Sequence, residues 1–364
     1  MDLGLTLDYE LFGNGAGNIF NNLILPTQKV LNLCKKYNAK ITIFFEVIEY
    51  LKLKQEWEKG NKMGYNENPA LAMEKQIKEA LNNGHDVQLH IHPQWLNAKF
   101  VNNHWQVDNN WCMKNIPLYQ TKEFDTDLKT VLLTGQKVLE NLLKPINSDY
   151  KCNIFRAGGF NILPSESVFR ILTELGFIAD SSVFAGGYEI NELSNVDFTI
   201  IKNNIPYWFV KDYNVLNQDQ EFVHKETIIE LPIFSYPIMR IFKYDLHRIK
   251  IVLKNKTSSL QKIQTRALNK SKIEKIKFFF EKEFVTWDFC LFNQKKMNFF
   301  LKKAFQVKKT SKYKYHPFIL IGHSKSFYDD KTLKRLLKKQ NVQFLTVTNI
   351  IKKIFFYTLN GHTN

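Results

Sequence analysis

The chain is short of cysteine, of acidic charge and of long apolar runs. Its four cysteines, Cys34, Cys112, Cys152 and Cys290, are scattered over 364 residues with no CxxC pair. That spacing excludes a disulfide scaffold and a thiolate zinc site, and it points to a reducing compartment. No apolar stretch approaches the ~20 residues of a membrane span. The segment Met1–Asp8 has neither a basic start nor a cleavable apolar stretch, so it does not read as a secretory signal. The expectation is a soluble, cytoplasmic protein. What is present is a hydrophobic fraction of 44% with 14% aromatics, enough to build a sizeable core and to exclude global disorder.

The shortage of acid is local. Lysine and arginine outnumber aspartate and glutamate by 51 to 35, a formal net charge of +16. Residues 241–315 alone carry 20 basic and 5 acidic side chains, a net +15. A basic segment is thus joined to a nearly neutral body. Phe278-Phe279-Phe280, Phe299-Phe300 and Phe305 interleave with its lysines. The segment reads as a mostly helical insertion, either a solvated face with an aromatic core side or a peripheral contact to an anionic membrane. No nucleic-acid-binding motif accompanies it, so no nucleic-acid partner is expected.

Along the body, short β-rich runs alternate with helical patterns. Strands are expected at 3–8, 40–47, 86–92, 152–156, 177–182, 227–232, 317–322 and 342–347, with short candidates at 198–201 and 207–210. Helices are expected at 24–37, 69–82, 126–143, 164–175 and 331–339, followed by a last basic helix. Residues 96–120 and 186–225 read as excursions. The alternation predicts a parallel α/β sheet or barrel within a single domain over 1–364.

In such folds the working residues gather where strands end. Asp8 and Glu10 are two apart and share a face of an extended chain. They are a metal ligand and a proton carrier, or two solvated acids. His90 and His92 in Leu-His-Ile-His-Pro have the same spacing, as a metal site requires. Arg156 precedes Ala157-Gly158-Gly159, a fixed guanidinium beside a close backbone approach. Asp180 opens an Asp-Ser-Ser turn, and His323 follows four apolar residues and Gly322, the placement of a general acid or base.

Taken in order, these five segments resemble the polysaccharide deacetylases of the NodB type, carbohydrate esterase family 4, and a subgroup associated with lipopolysaccharide and other surface-glycan synthesis. The resemblance spans roughly residues 1–185 and 227–350. It implies a distorted (β/α)7 barrel, one divalent metal ion (usually zinc), and hydrolysis of N-acetyl groups on amino sugars. Asp8 matches the catalytic base, Glu10 the acidic metal ligand and His90 the first metal-binding histidine. The second histidine of the family motif would fall at Gln94, and His92 is the nearby replacement. Arg156 matches the arginine paired with the base, His323 the late histidine and Asp180 the acid that tunes it. Ser324-Lys325 stands where an acidic residue is usual. The implied partner is a glycan or a lipid-linked glycan. The same site would also serve an O-acetyl ester or a non-sugar amide. The departures at Gln94 and Ser324 leave room for a glycan-binding module without turnover.

Overall fold

The computed structural model describes residues 1–117, 126–219, 227–243, 277–327 and 329–359. Of the basic segment, residues 244–276 lie outside this set, as do 118–120 and 220–225 of the two excursions. In chain order the elements are β1 (Asp2–Tyr9), α1 (Leu25–Lys36), β2 (Thr42–Glu46), α2 (Val47–Glu58), α3 (Pro69–Asn82) and β3 (Asp86–Ile91). The hairpin β4 (Lys99–Val101) and β5 (His104–Gln106), α4 (Leu128–Leu143), β6 (Ile154–Ala157), α5 (Glu166–Glu174) and β7 (Ala179–Asp180) follow. A second hairpin, β8 (Tyr188–Asn191) and β9 (Ser194–Asp197), leads to β10 (Trp208–Lys211), β11 (Asn214–Asp219), β12 (Ile229–Glu230), β13 (Ser235–Met239) and β14 (Lys282–Thr286). The chain finishes with α6 (Gln294–Lys309), β15 (Phe318–His323), α7 (Asp330–Leu337), β16 (Gln343–Leu345) and α8 (Val347–Leu359).

Seven parallel strands form the ring β1-β2-β3-β6-β7-β12-β15. Closure comes just past β12, where Ile233 bridges Phe184 on one side and Ile319 of β15 on the other. Below that point β10 and β11 lie antiparallel on the free edge of β12, and β16 pairs with the start of β1. The distorted (β/α)7 barrel expected from the sequence is the fold observed. Its strands are buried on both faces, as parallel strands flanked by helices must be. One apolar cluster joins Phe44, Ile154, Ala179, Ile229 and Ile319 to Ile350, Ile351 and Ile354 of α8, and a larger one packs the other helices. Among the described residues no helix is long and apolar enough to cross a membrane.

Three local expectations change. Helix α2 follows β2 without a loop and has no glycine or proline to announce it. Glu46 is both the strand end and the helix cap, its Oε1 accepting from the Ile48 and Glu49 amides at 3.0 and 3.4 Å. The strand expected at 198–201 lies instead at Ser194–Asp197, while Phe198 is buried against Phe184. The described part of the basic segment is not an appendage. β14 pairs antiparallel with β13, Trp287 is fully buried, and Met297, Phe300 and Ala304 of α6 are buried in the larger core. Lysines on the outer side of an amphipathic helix disguised a core element.

Candidate active site

The strand ends converge at one mouth of the barrel. Asp8, with Glu10 two residues further on, comes from β1, and His90 and Arg156 are direct partners across β3 and β6. Arg156 is fully buried and donates four hydrogen bonds. Nη1 donates to Asp8 Oδ1 at 2.6 Å and to Thr6 Oγ1 at 2.9 Å. Nε and Nη2 donate to the Ser181 carbonyl at 2.8 Å and its hydroxyl at 3.0 Å. The guanidinium also lies 4.0 Å from the centre of the Phe44 ring. Burial alone would push the Asp8 carboxyl up, but the charge of Arg156, with that of His323, overcomes it and holds Asp8 below its ordinary value.

With Oδ1 taken by Arg156, Asp8 Oδ2 faces two imidazoles, 3.9 Å from His90 Nε2 and 3.6 Å from His323 Nε2. His90 Nδ1 sits 2.9 Å from the Arg156 carbonyl. A carbonyl only accepts, so Nδ1 carries the proton and Nε2 presents a lone pair. That lone pair is buried, has no hydrogen-bond partner, and lies 3.6 Å from Glu10 Oε2. His92 Nε2 contacts the same oxygen and likewise makes no satisfactory hydrogen bond. Glu10, His90 and His92 thus bring three ligand atoms within 4.8 Å of one another, all three residues buried.

This arrangement fits a divalent cation. Two orphaned imidazole nitrogens facing a carboxylate are costly without a positive charge between them, and two imidazoles with one carboxylate suit zinc chemistry. Gln94 does not enter the cluster. Its amide lies 2.8 Å from His92 Nδ1, and its Oε1 is buried without a partner. With the amide turned over, Oε1 accepts from Nδ1–H and His92 offers Nε2 as a ligand, the usual outer support of a metal-binding histidine. Of positions 92 and 94, His92 is the one whose ring nitrogen lies with Glu10 and His90. Gly158 makes room for it, because a Cβ there would lie 2.4 Å from His92 Cγ.

Lys325 Nζ holds the other oxygen of Glu10 at 2.7 Å and the Leu11 carbonyl at 2.6 Å. Burial works against ionisation of Glu10, but His92 and Lys325 hold its carboxyl well below the ordinary range. Behind it, burial pushes the Glu49 carboxyl up to about 8 and Glu46 well above its ordinary value.

Asp180 does not face His323. Its carboxylate accepts from the Ser182 hydroxyl at 2.8 Å and amide at 2.9 Å and is shared with Glu230. The carboxylate set against His323 is Asp288, whose Oδ2 is 3.5 Å from Nδ1 while Oδ1 accepts from the Cys290 and Leu291 amides at 2.8 and 2.9 Å. Burial pulls the His323 imidazolium down, yet Asp288 and Asp8 outweigh it and hold the group above its ordinary value. Asp288 carries the same signature as the other site residues, an acid just past a strand, but it lay inside the segment read as a basic insertion.

No protein-family model matches the chain, and no curated protein is similar to it in sequence. Solved structures similar to it include a candidate polysaccharide deacetylase from Mycobacterium smegmatis, with a TM-score of 0.49 and 10% identity over 97% of this chain and 89% of that one. Puue allantoinase has a TM-score of 0.45 and 12% identity, over 98% of this chain and 90% of that one. A second candidate polysaccharide deacetylase, from Pseudomonas aeruginosa PAO1, has a TM-score of 0.44 and 12% identity, over 98% and 91%. At this level of similarity the strand order and the site geometry carry the reading, not these likenesses.

Proposed function

We propose that the chain is a metal-dependent hydrolase that removes N-acetyl groups from an amino sugar in a surface polysaccharide or its lipid-linked precursor. The observation that carries the reading is the division of labour around Asp8. One oxygen is fixed by Arg156 while the other faces His90 and His323, with two orphaned imidazole nitrogens alongside. Glu10, His90 and His92 would hold the cation. Such an ion, when bound, supplies Lewis-acid chemistry, acidifying water toward pKa ~7 and polarising a carbonyl.

The chain's own groups handle the protons. Asp8 Oδ2, kept ionised by Arg156, takes a proton from the attacking water. Asp288 holds the proton of His323 on Nδ1, so Nε2 is the atom that titrates toward the site. His323, as imidazolium, delivers that proton to the departing amine, and acetate and a free amino sugar result. Asp180 supports this from behind, bracing Ser182, whose hydroxyl accepts from the Ala157 amide next to Arg156. The net +15 of residues 241–315 supports a peripheral contact with an anionic membrane, where a lipid-linked glycan would be met.

The test is acetate release from N-acetylated glycans with added zinc. Asp8→Asn and His323→Ala are each expected to reduce turnover by about 10²–10⁴-fold while circular dichroism stays unchanged. Full activity in either variant would refute the assignment.

A further inference from the structure

A cavity of about 690 Å³ opens beside His323 and Asp288 and runs between the β8–β9 hairpin and the β13–β14 ribbon. It lies within the ~300–1,000 Å³ range of sites that enclose a drug-sized molecule. Its walls carry Phe160, Phe184, Ile190, Phe284, Val285 and Phe292. Lys282 also lines it, and several of the other charged groups along it have partners of their own. Arg240 contacts Glu281 and sits 3.0 Å from Glu283, Glu189 accepts from Asn191, and Asp288 faces His323. The six apolar side chains give the wall hydrophobic surface that an alkyl chain can cover and a bare sugar ring cannot use.

The wall is built for close assembly. Gly186 sits at φ +67°, and a Cβ there would fall 2.2 Å from Phe284, so only glycine lets the hairpin rest on the ribbon. At the rim Tyr188 and Ile190 are 63% and 52% exposed, and Phe280 and Phe242 at the far end of the ribbon are also exposed. Apolar surface therefore runs from the proton-donating histidine outward to solvent.

We infer that this cavity is a subsite for an apolar chain carried by the substrate on the side of His323, making the preferred substrate an amphipathic acetamide, a sugar bearing an alkyl or lipid group. The inference rests on the deacetylase reading for the orientation of the substrate, but the apolar subsite can be tested without turnover. The probe is octyl β-D-glucoside below its micelle concentration, which has no acetamide. Isothermal titration should show it binding the full chain at least tenfold more tightly than methyl β-D-glucoside. Ile190→Asp, at the exposed rim, and Val285→Trp, which fills the cavity, should each weaken octyl binding at least fivefold. Acetate release from octyl and methyl N-acetyl-β-D-glucosaminides should show the same preference in kcat/KM. Equal affinity for the two glucosides, or octyl binding indifferent to both variants, would overturn the subsite. An octyl preference that both variants weaken, with no acetate released from either acetamide, would support the subsite and instead refute the deacetylase reading.

Discussion

The two sides of the barrel mouth are made in opposite ways. On the side of β1, β3 and β6, buried ionisable groups stand within about 4 Å of one another, and the imidazole nitrogens of His90 and His92 are left without hydrogen-bond partners. On the side of β8 and β14 the wall carries Phe184, Phe284 and Val285, and Arg240 is paired with Glu281 and Glu283. The contrast shows where reactivity and selectivity are separated: fixed dipoles and charges do chemistry, whereas apolar walls sort substrates by size and polarity.

The sharpest way to break the polar side is Arg156→Met. It leaves Asp8 buried without its counter-charge, and about 3–5 kcal/mol of stability should be lost, read as a lowered denaturation midpoint. A drop under 1 kcal/mol would mean that Asp8 is solvated or protonated in the folded chain. Next in size is Gly158→Ala, whose methyl group would collide with His92. Metal affinity should fall about 10–100-fold, with a smaller loss of stability. Unchanged affinity would remove His92 from the ligand set.

Asp288→Asn probes the hinge between the two sides. Asp288 raises the His323 imidazolium above its ordinary value, so an enzyme that needs this acid loses activity as pH rises through that raised value. Without the carboxylate the alkaline limb of the rate profile should move to lower pH. The same substitution at Asp180 should leave the limb in place. If Asp180→Asn moves it and Asp288→Asn does not, the assignment of partners is wrong.

A separate effect, seen only on acidification, lies away from the mouth. Burial holds His85 and His316 down to about 4. In the unfolded chain each takes a proton near pH 6.5, so stability contributed by these groups is present above that pH. It is lost progressively as pH falls from about 6.5 toward 4, by up to about 3 kcal/mol each. His85→Gln and His316→Gln should flatten this acid loss in denaturant titrations at pH 7 and pH 5. An undiminished loss would assign the acid sensitivity to the carboxylates at the mouth.

How far the sequence disclosed this contrast depends on the distance over which each part is encoded. Asp8 with Glu10 and His90 with His92 were legible because a strand places alternate residues on one face. The barrel was legible from β-rich runs separated by helices. Asp288 was not, because its meaning comes from the bridge that sets it beside Ile321, and its lysine-rich neighbours gave a different impression. The place of Gln94 was hidden too, since a position that looks like a lost ligand sets its amide against the ring of its neighbour His92. The aromatic wall joins the ribbon residues Met239 and Lys282 across a gap of more than forty positions, and no local pattern announces such a pairing.

Everything proposed for this mouth needs Glu10, His90 and His92 to act as one cation site at the ends of β1 and β3. Calorimetric titration of the metal-stripped full chain with zinc tests it directly. One site per chain is expected, abolished by His90→Ala and by His92→Ala and retained in His85→Gln. Absence of binding to the wild-type chain, or equal binding by the His92→Ala variant, would contradict it.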